Sequence, residues 1–95
     1  MAAYAIFNVE ITDAAAYERY KTGAAPTIAA AGGRYLVRGG QTRALEGDPA
    51  LNRLIVLEFP TQAAFDAWYD GPDYAPWREL RQHCARTVAF SVVGS

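Results

Sequence analysis

The chain is short of several things, and each shortage excludes something. It has one cysteine, Cys84, and one histidine, His83, so no intramolecular disulfide can form and no group of Cys and His at metal-ligand spacing exists. A lone thiol fits a reducing compartment. Net charge is almost missing as well. Nine Lys and Arg against ten Asp and Glu leave −1, which offers no broad attraction to nucleic acid or to an anionic membrane. Long apolar runs are absent: MAAYAIFNVEIT is broken by Asn8 and Glu10 and lacks a basic flank, so neither a signal peptide nor a membrane span is expected. The chain reads as cytoplasmic. Its glycine pairs do not follow the spacing of a dinucleotide-binding turn, so no flavin or nicotinamide site is indicated; no cofactor and no metal are expected.

What is present describes an ordinary globular chain. With 95 residues, 52% hydrophobic and 20% charged, it reads as one domain over residues 1–95. A chain of this size buries only about 60–65% of the surface its unfolded form exposes, so added burial through oligomerisation is expected.

Four strands and a set of helices follow from the patterning. Residues 3–9 (AYAIFNV), 34–38 (RYLVR), 53–59 (RLIVLEF) and 87–93 (TVAFSVV) are rich in β-branched and aromatic residues and bounded by turn chemistry. After Thr12 and Asp13, either of which can cap a helix, Tyr17, Tyr20, Ala24, Ile28 and Ala31 recur at intervals of three and four. Pro26 predicts a kink or restart near Ala24–Pro26, and Gly32-Gly33 ends the helix. Thr61 caps a second helix with Phe65 and Trp68 on its buried ridge. Gly71-Pro72-Asp73 separates it from a third, along which Tyr74, Trp77, Arg81 and Cys84 share a side. The order is βαββαβ, an α+β ferredoxin-like arrangement of one antiparallel four-stranded sheet with its helices on one face. Strands 34–38 and 53–59 are expected to form a long hairpin, with Gly39-Gly40 marking a bulge or bend.

Alternation along the strands then sorts side chains by face. One set (Ala5, Phe7, Val9; Tyr35, Val37; Ile55, Leu57, Phe59; Val88, Phe90, Val92) suits packing beneath helices. The other (Tyr4, Ile6, Asn8; Leu36, Arg38; Leu54, Val56, Glu58; Ala89, Ser91) mixes aliphatic with polar residues. Aliphatics in that number on a free face mark an interface, so a second sheet is expected to cover it in a homodimer. Arg38, Glu58, Asn8, Ser91 and the Tyr4 hydroxyl would then need partners in a partly enclosed space. A register pairing Glu46 near Arg53 sets Glu58 opposite about Gln41 with Arg38 close by. The two form either a structural ion pair or the polar centre of a pocket.

The segments GGRYLVRGG, LEG, IVLEFPTQAAFDAWYDGPDY and the closing VVG resemble, over nearly the whole chain, the bacterial family known as domain of unknown function 1330. Where that family commonly has a serine before the proline, this chain has Gly71. The resemblance implies a dimeric α/β barrel, in the superfamily that also holds cofactor-free monooxygenases and muconolactone isomerases, and it implies no activity. By motif position it also implies that Arg38, Glu58, Trp68, Tyr69 and Tyr74 line or edge a pocket. Helical spacing, on the other hand, suits Trp68 and Trp77 to core packing and leaves Tyr69 and Tyr74, on either side of the helix break, as pocket candidates.

His83 is the remaining candidate for proton transfer, although a place near a helix end, four residues after Glu79, equally suits a solvated histidine. Cys84 suits packing better than nucleophilic attack. The functional reading is a small protein binding a small metabolite, anions among the candidates, in a pocket formed by the dimer's sheet face. Its alternatives are a cofactor-independent enzyme, isomerase- or monooxygenase-like, using Glu58 and Arg38, and a structural dimer without a ligand.

Overall fold

A computed structural model describes all residues, Met1–Ser95. Its elements run β1 (Ala3–Ile11), α1 (Ala14–Ala30), β2 (Arg34–Arg38), β3 (Arg53–Phe59), α2 (Gln62–Tyr69), α3 (Ala75–Cys84) and β4 (Ala85–Val93). The strands form one sheet in the order β2-β3-β1-β4, and each neighbouring pair is antiparallel. This is the βαββαβ ferredoxin-like arrangement, with the helices layered on one face. No helix is long and apolar enough to cross a membrane.

Local chemistry explains the boundaries. Asp13 supplies the cap of α1, its carboxylate accepting from the Ala16 amide at 3.1 Å, and Thr61 does the same for α2 through Ala64 at 3.1 Å. At the far end of α1, Gly32 takes φ +83°; its amide reaches Ala29 O while that of Gly33 reaches Ile28 O. Those two bonds form a Schellman cap, which needs the left-handed residue that glycine provides without strain.

Pro26 causes no restart of α1: the helix is continuous from Ala14 to Ala30. The ring sits on the exposed side, where only one backbone bond is lost. The second break also differs. Residues 70–74 form a turn, and α3 starts at Ala75, with proline in its first turn supplied by Pro76 rather than Pro72.

The hydrophobic core lies between the sheet and the helix layer. Ala5, Phe7, Val9, Leu57 and Phe59 meet Tyr17, Tyr20, Ala24 and Ile28 of α1 and Trp68, Tyr74 and Cys84 from the α2–α3 side. Two strand assignments change. In β4, register places Ala89 and Ser91 beside the helix-facing Phe7 and Ala5, and places Val88, Phe90 and Val92 beside Asn8, Ile6 and Tyr4 on the open face. Hydropathy misled here because β4 is an edge strand, incompletely covered by helices, and its more apolar side faces away from them. Val88 is 67% and Phe90 57% exposed.

In β2 the bulge falls between Tyr35 and Val37, earlier than Gly39-Gly40. Tyr35 pairs with Leu57, Val37 with Val56, and Arg38 with Ile55. One extra residue therefore moves Val37 to the open face and Arg38 to the helix face. Gly39, at φ +71°, donates to Leu54 O and ends the pairing. Residues 40–52 form a loop instead of extending the hairpin.

Proline costs about 3 kcal/mol relative to alanine inside a helix, and the freer unfolded alanine chain returns up to about 1 kcal/mol. Pro26→Ala is therefore expected to raise the unfolding free energy by about 2–3 kcal/mol, read as a higher urea midpoint at unchanged slope. A lower midpoint would show that Pro26 makes a favourable contribution unrelated to helix propensity.

Candidate functional site

The bulge in β2 delivers Arg38 to a cavity between the sheet and the helices. Its walls are Phe7 and Val9 of β1, Tyr17, Tyr20, Lys21 and Ile28 of α1, Tyr35 and Arg38 of β2, Arg53, Ile55 and Leu57 of β3, and Arg81 of α3. The space amounts to about 440 Å³, counting its open mouth. No Asp or Glu lines it.

The cationic groups differ in their surroundings. Arg38 lies at the exposed edge with its guanidinium over the Tyr35 ring, 4.1 Å from the centroid, a cation–π contact that fixes the planar group. Arg53 shares the parity of Ile55 and Leu57, and its Nε is buried without a hydrogen-bond partner in the protein. Arg81 is 4% exposed. It lies over Phe7 and donates from Nε to the Tyr74 hydroxyl at 3.4 Å. Only Lys21 has an acidic partner, Glu18 at 2.8 Å; none of the three arginines forms a salt bridge.

Tyrosines complete the polar lining. Burial raises the Tyr17 hydroxyl above its ordinary value, with the opposing Arg53 charge and hydrogen bond too weak to cancel it. Tyr20 is pushed far above its ordinary value by burial and by the adjacent Tyr74, whose oxygen is 2.6 Å from its own. Both phenols therefore stay protonated and available as donors. Burial opposes the Arg81 charge, but the Tyr74, Tyr20 and Tyr69 oxygens outweigh it and keep the guanidinium charged.

The residues singled out from sequence scatter. Arg38 and Glu58 do not come together, because Glu58 lies opposite Arg34 rather than near Gln41. Glu58 accepts from Arg34 Nε at 2.6 Å on the open face, and that bond, with help from Arg34's charge and the Tyr4 hydroxyl, holds its carboxyl below the ordinary value despite some desolvation. Tyr4 is thus a neighbour of this ion pair.

Asn8 serves the loop: its side-chain amide donates to Ala50 O at 2.9 Å and its carbonyl accepts from the Asn52 amide at 2.8 Å. Ser91 turns to the helix face, where its hydroxyl accepts from Gln62 at 3.1 Å. Tyr69 stacks on Phe65 and borders a separate shallow cleft with Ser91 and Ala89. Tyr74 has no exposure and stacks on Trp68 at 4.0 Å, so it belongs to the core rather than to a pocket edge. Trp68 is buried too, and donates from Nε1 to Thr27 at 3.0 Å. His83 is exposed on α3. Its Nδ1 sits 2.8 Å from the Glu79 carbonyl, which can only accept, so the proton is on Nδ1. Cys84 is buried, and burial raises its thiol above the ordinary value.

Tyr17, Tyr20, Arg53 and Arg81 were not singled out as a site from sequence, although traces were there. Arg81 interrupts the apolar side of α3 between Trp77 and Cys84, and Arg53 begins the helix-facing series of β3. A charged residue at an inward position is the readable signal.

The Glu58 carboxyl gives a pH test. Its folded value is depressed, so the Arg34–Glu58 interaction contributes stability above the ordinary 4.5 and loses it as pH falls through the lower folded value. Arg34→Gln is expected to move the Glu58 midpoint up toward 4.5, followed by carboxyl-carbon NMR. An unmoved midpoint would exclude Arg34 as the cause.

Solved structures of similar shape are only distantly related in sequence. A protein of unknown function from Rhodopseudomonas palustris matches with a TM-score of 0.73 at 20% identity, over 99% of this chain and 84% of that one. A dimeric ferredoxin-like protein of unknown function from a Jannaschia species gives 0.67 at 16%, over 99% and 100%. A cofactor-independent oxygenase from Streptomyces nogalater gives 0.64 at 13%, over 99% and 93%. These likenesses establish the fold alone. Comparison with curated proteins finds no match. The model of the family described as domain of unknown function (DUF1330) matches residues 2–95, and the chain belongs to that family.

Proposed function

We propose that this protein binds a small anionic metabolite in the cavity between the sheet and the helix layer, as a homodimer joined through the open sheet face. One observation carries the binding reading: three arginines converge on a mostly apolar cavity that contains no acid. A buried cation without a counter-ion is costly, and the same surroundings make its attraction for an entering anion strong. Arginine's planar fork suits a carboxylate or phosphate. The pocket so proposed lies within one chain, under the helices, and differs from the sheet-to-sheet pocket expected from sequence.

The open face supports the homodimer. Ile6, Val37, Val56, Val88, Phe90 and Val92 form an apolar field across neighbouring strands. It carries Arg34–Glu58 at one corner and Arg86–Glu10 at the diagonally opposite one, at 2.6 and 2.8 Å. A patch of this kind on a short chain favours a self-complementary two-fold contact, which adds the burial a small core lacks.

One observation favours a second, enzymatic reading. Protonated Tyr17 and Tyr20 beside arginines make a donor set suited to an oxyanion that develops during reaction. Glu58 would take no part within one chain, since it lies on the other face from Arg38.

Two measurements test these readings. Small carboxylates are expected to raise the melting temperature of the wild-type protein, and Arg38→Ala to abolish most of that rise without unfolding the protein. No rise with any anion leaves a structural dimer as the better account. Phe90→Arg puts a charge where the protomer is already exposed but a dimer would bury it. It is expected to move the gel-filtration peak to the monomer position with the circular dichroism unchanged. An unchanged wild-type dimer peak would remove the open face as the interface.

A further inference from the structure

Resting on the anion-binding reading, we infer that the cavity recognises a small monocarboxylate with an apolar body, through a directional relay in which Arg81 donates to Tyr74, Tyr74 to Tyr20, and Tyr20 into the cavity. The direction follows from counting donors. Arg81 Nε can only donate, and it points at the Tyr74 oxygen from 3.4 Å. The Tyr20 and Tyr74 oxygens are 2.6 Å apart, so one phenol donates to the other. If Tyr20 gave its hydrogen to Tyr74, the hydrogen of Tyr74 would have no acceptor, in a side chain with 0% exposure. Such an orphaned donor is expensive. If Tyr74 donates instead, the Arg81 Nε–H and the Tyr74 hydroxyl hydrogen both have acceptors. The hydrogen left over belongs to Tyr20, which lines the cavity.

The relay ends at a donor polarised by a cation two bonds behind it. That is a device for holding an oxyanion, and Arg53 Nε, buried and unpartnered, is a second donor in the same lining. The lining narrows the class. Two donors, the Tyr20 hydroxyl and Arg53 Nε, match the two oxygens of a carboxylate, and the remaining walls, Phe7, Val9, Ile28, Ile55 and Leu57, suit an apolar body. Tyr20 touches the ligand; Tyr74 is a positioning residue that acts through it.

The test is titration of the full-length protein with benzoate, followed by NMR, with inorganic phosphate and benzyl alcohol as comparators. Benzoate is expected to bind more tightly than either. Tyr20→Phe, which keeps the ring, should weaken benzoate about tenfold or more, the usual effect of losing a hydrogen bond to a charged group. Tyr74→Phe should weaken it severalfold although it touches no ligand, and should add nothing in the Tyr20→Phe background. A purely structural Tyr74 would give effects that add. Benzoate binding that depends on Arg38 but changes less than twofold in Tyr20→Phe overturns the relay and leaves the anion pocket standing. Preference for phosphate overturns the carboxylate class alone. No binding of benzoate or phosphate overturns both readings. Should Tyr74→Phe fail to fold, Tyr20→Phe decides by itself.

Discussion

The stack of Trp68 on Tyr74, with the Tyr74 hydroxyl bonded to Tyr20, ties the α2–α3 turn to α1, 54 residues away in sequence. Phe59 of the sheet lies against the same Trp68. The stack joins the end of α2 to the turn before α3, and the hydroxyl pair joins that turn to α1. Because α3 leaves from Tyr74, its later residues are placed by this anchor: Arg81 arrives over Phe7 instead of in solvent. Tightly packed aromatic contacts have few alternative arrangements, so the position of the most buried charge in the molecule is set by apolar packing.

Two faces of one sheet divide the work. The helix side encloses arginines and phenols around a recess, while the open side presents aliphatic side chains bounded by ion pairs. Alternation makes this division strict, since consecutive residues of a strand serve different faces. A bulge is the one local device that breaks the rule without breaking the strand, and β2 uses it where Leu36 is added opposite Val56. Were Leu36 instead paired regularly with Val56, Arg38 would join the open face, and the recess would lose the cation at its mouth.

The contrast between what sequence reveals and what it hides follows from the same physics. Strand and helix order, the Gly32-Gly33 ending, the Thr61 cap and the inward faces of β1 and β3 were all legible, because each depends on local chemistry or on an unbroken period of two. The face of β4 was not. Its two sides, Thr-Ala-Ser and Val-Phe-Val, differ in hydropathy in the sense opposite to their burial under helices, and a face that is apolar on its own chain's outer side is indistinguishable from a core face within one sequence. The Arg38–Glu58 pairing failed for a different reason. Register across a 14-residue gap between strands depends on where pairing stops, and Gly39 stops it early. The pocket itself was missed because arginine at an inward position looks like a surface residue until the third dimension brings Arg53 and Arg81 beside Tyr17 and Tyr20.

Asn8 has a consequence for the loop it holds. By gripping the backbone at Ala50 and Asn52 from both ends of its amide, it fixes the landing point of the chain just before β3. Residues between Gly40 and Pro49 are then a closed excursion whose ends are set by Gly39 on one side and Asn8 on the other. The entropy of closing such an excursion grows only with the logarithm of its length, by about 0.6 kcal/mol per doubling. The fold can thus lengthen or shorten this segment, or accept a foreign peptide within it, at little energetic cost, while the strands at its base stay in register.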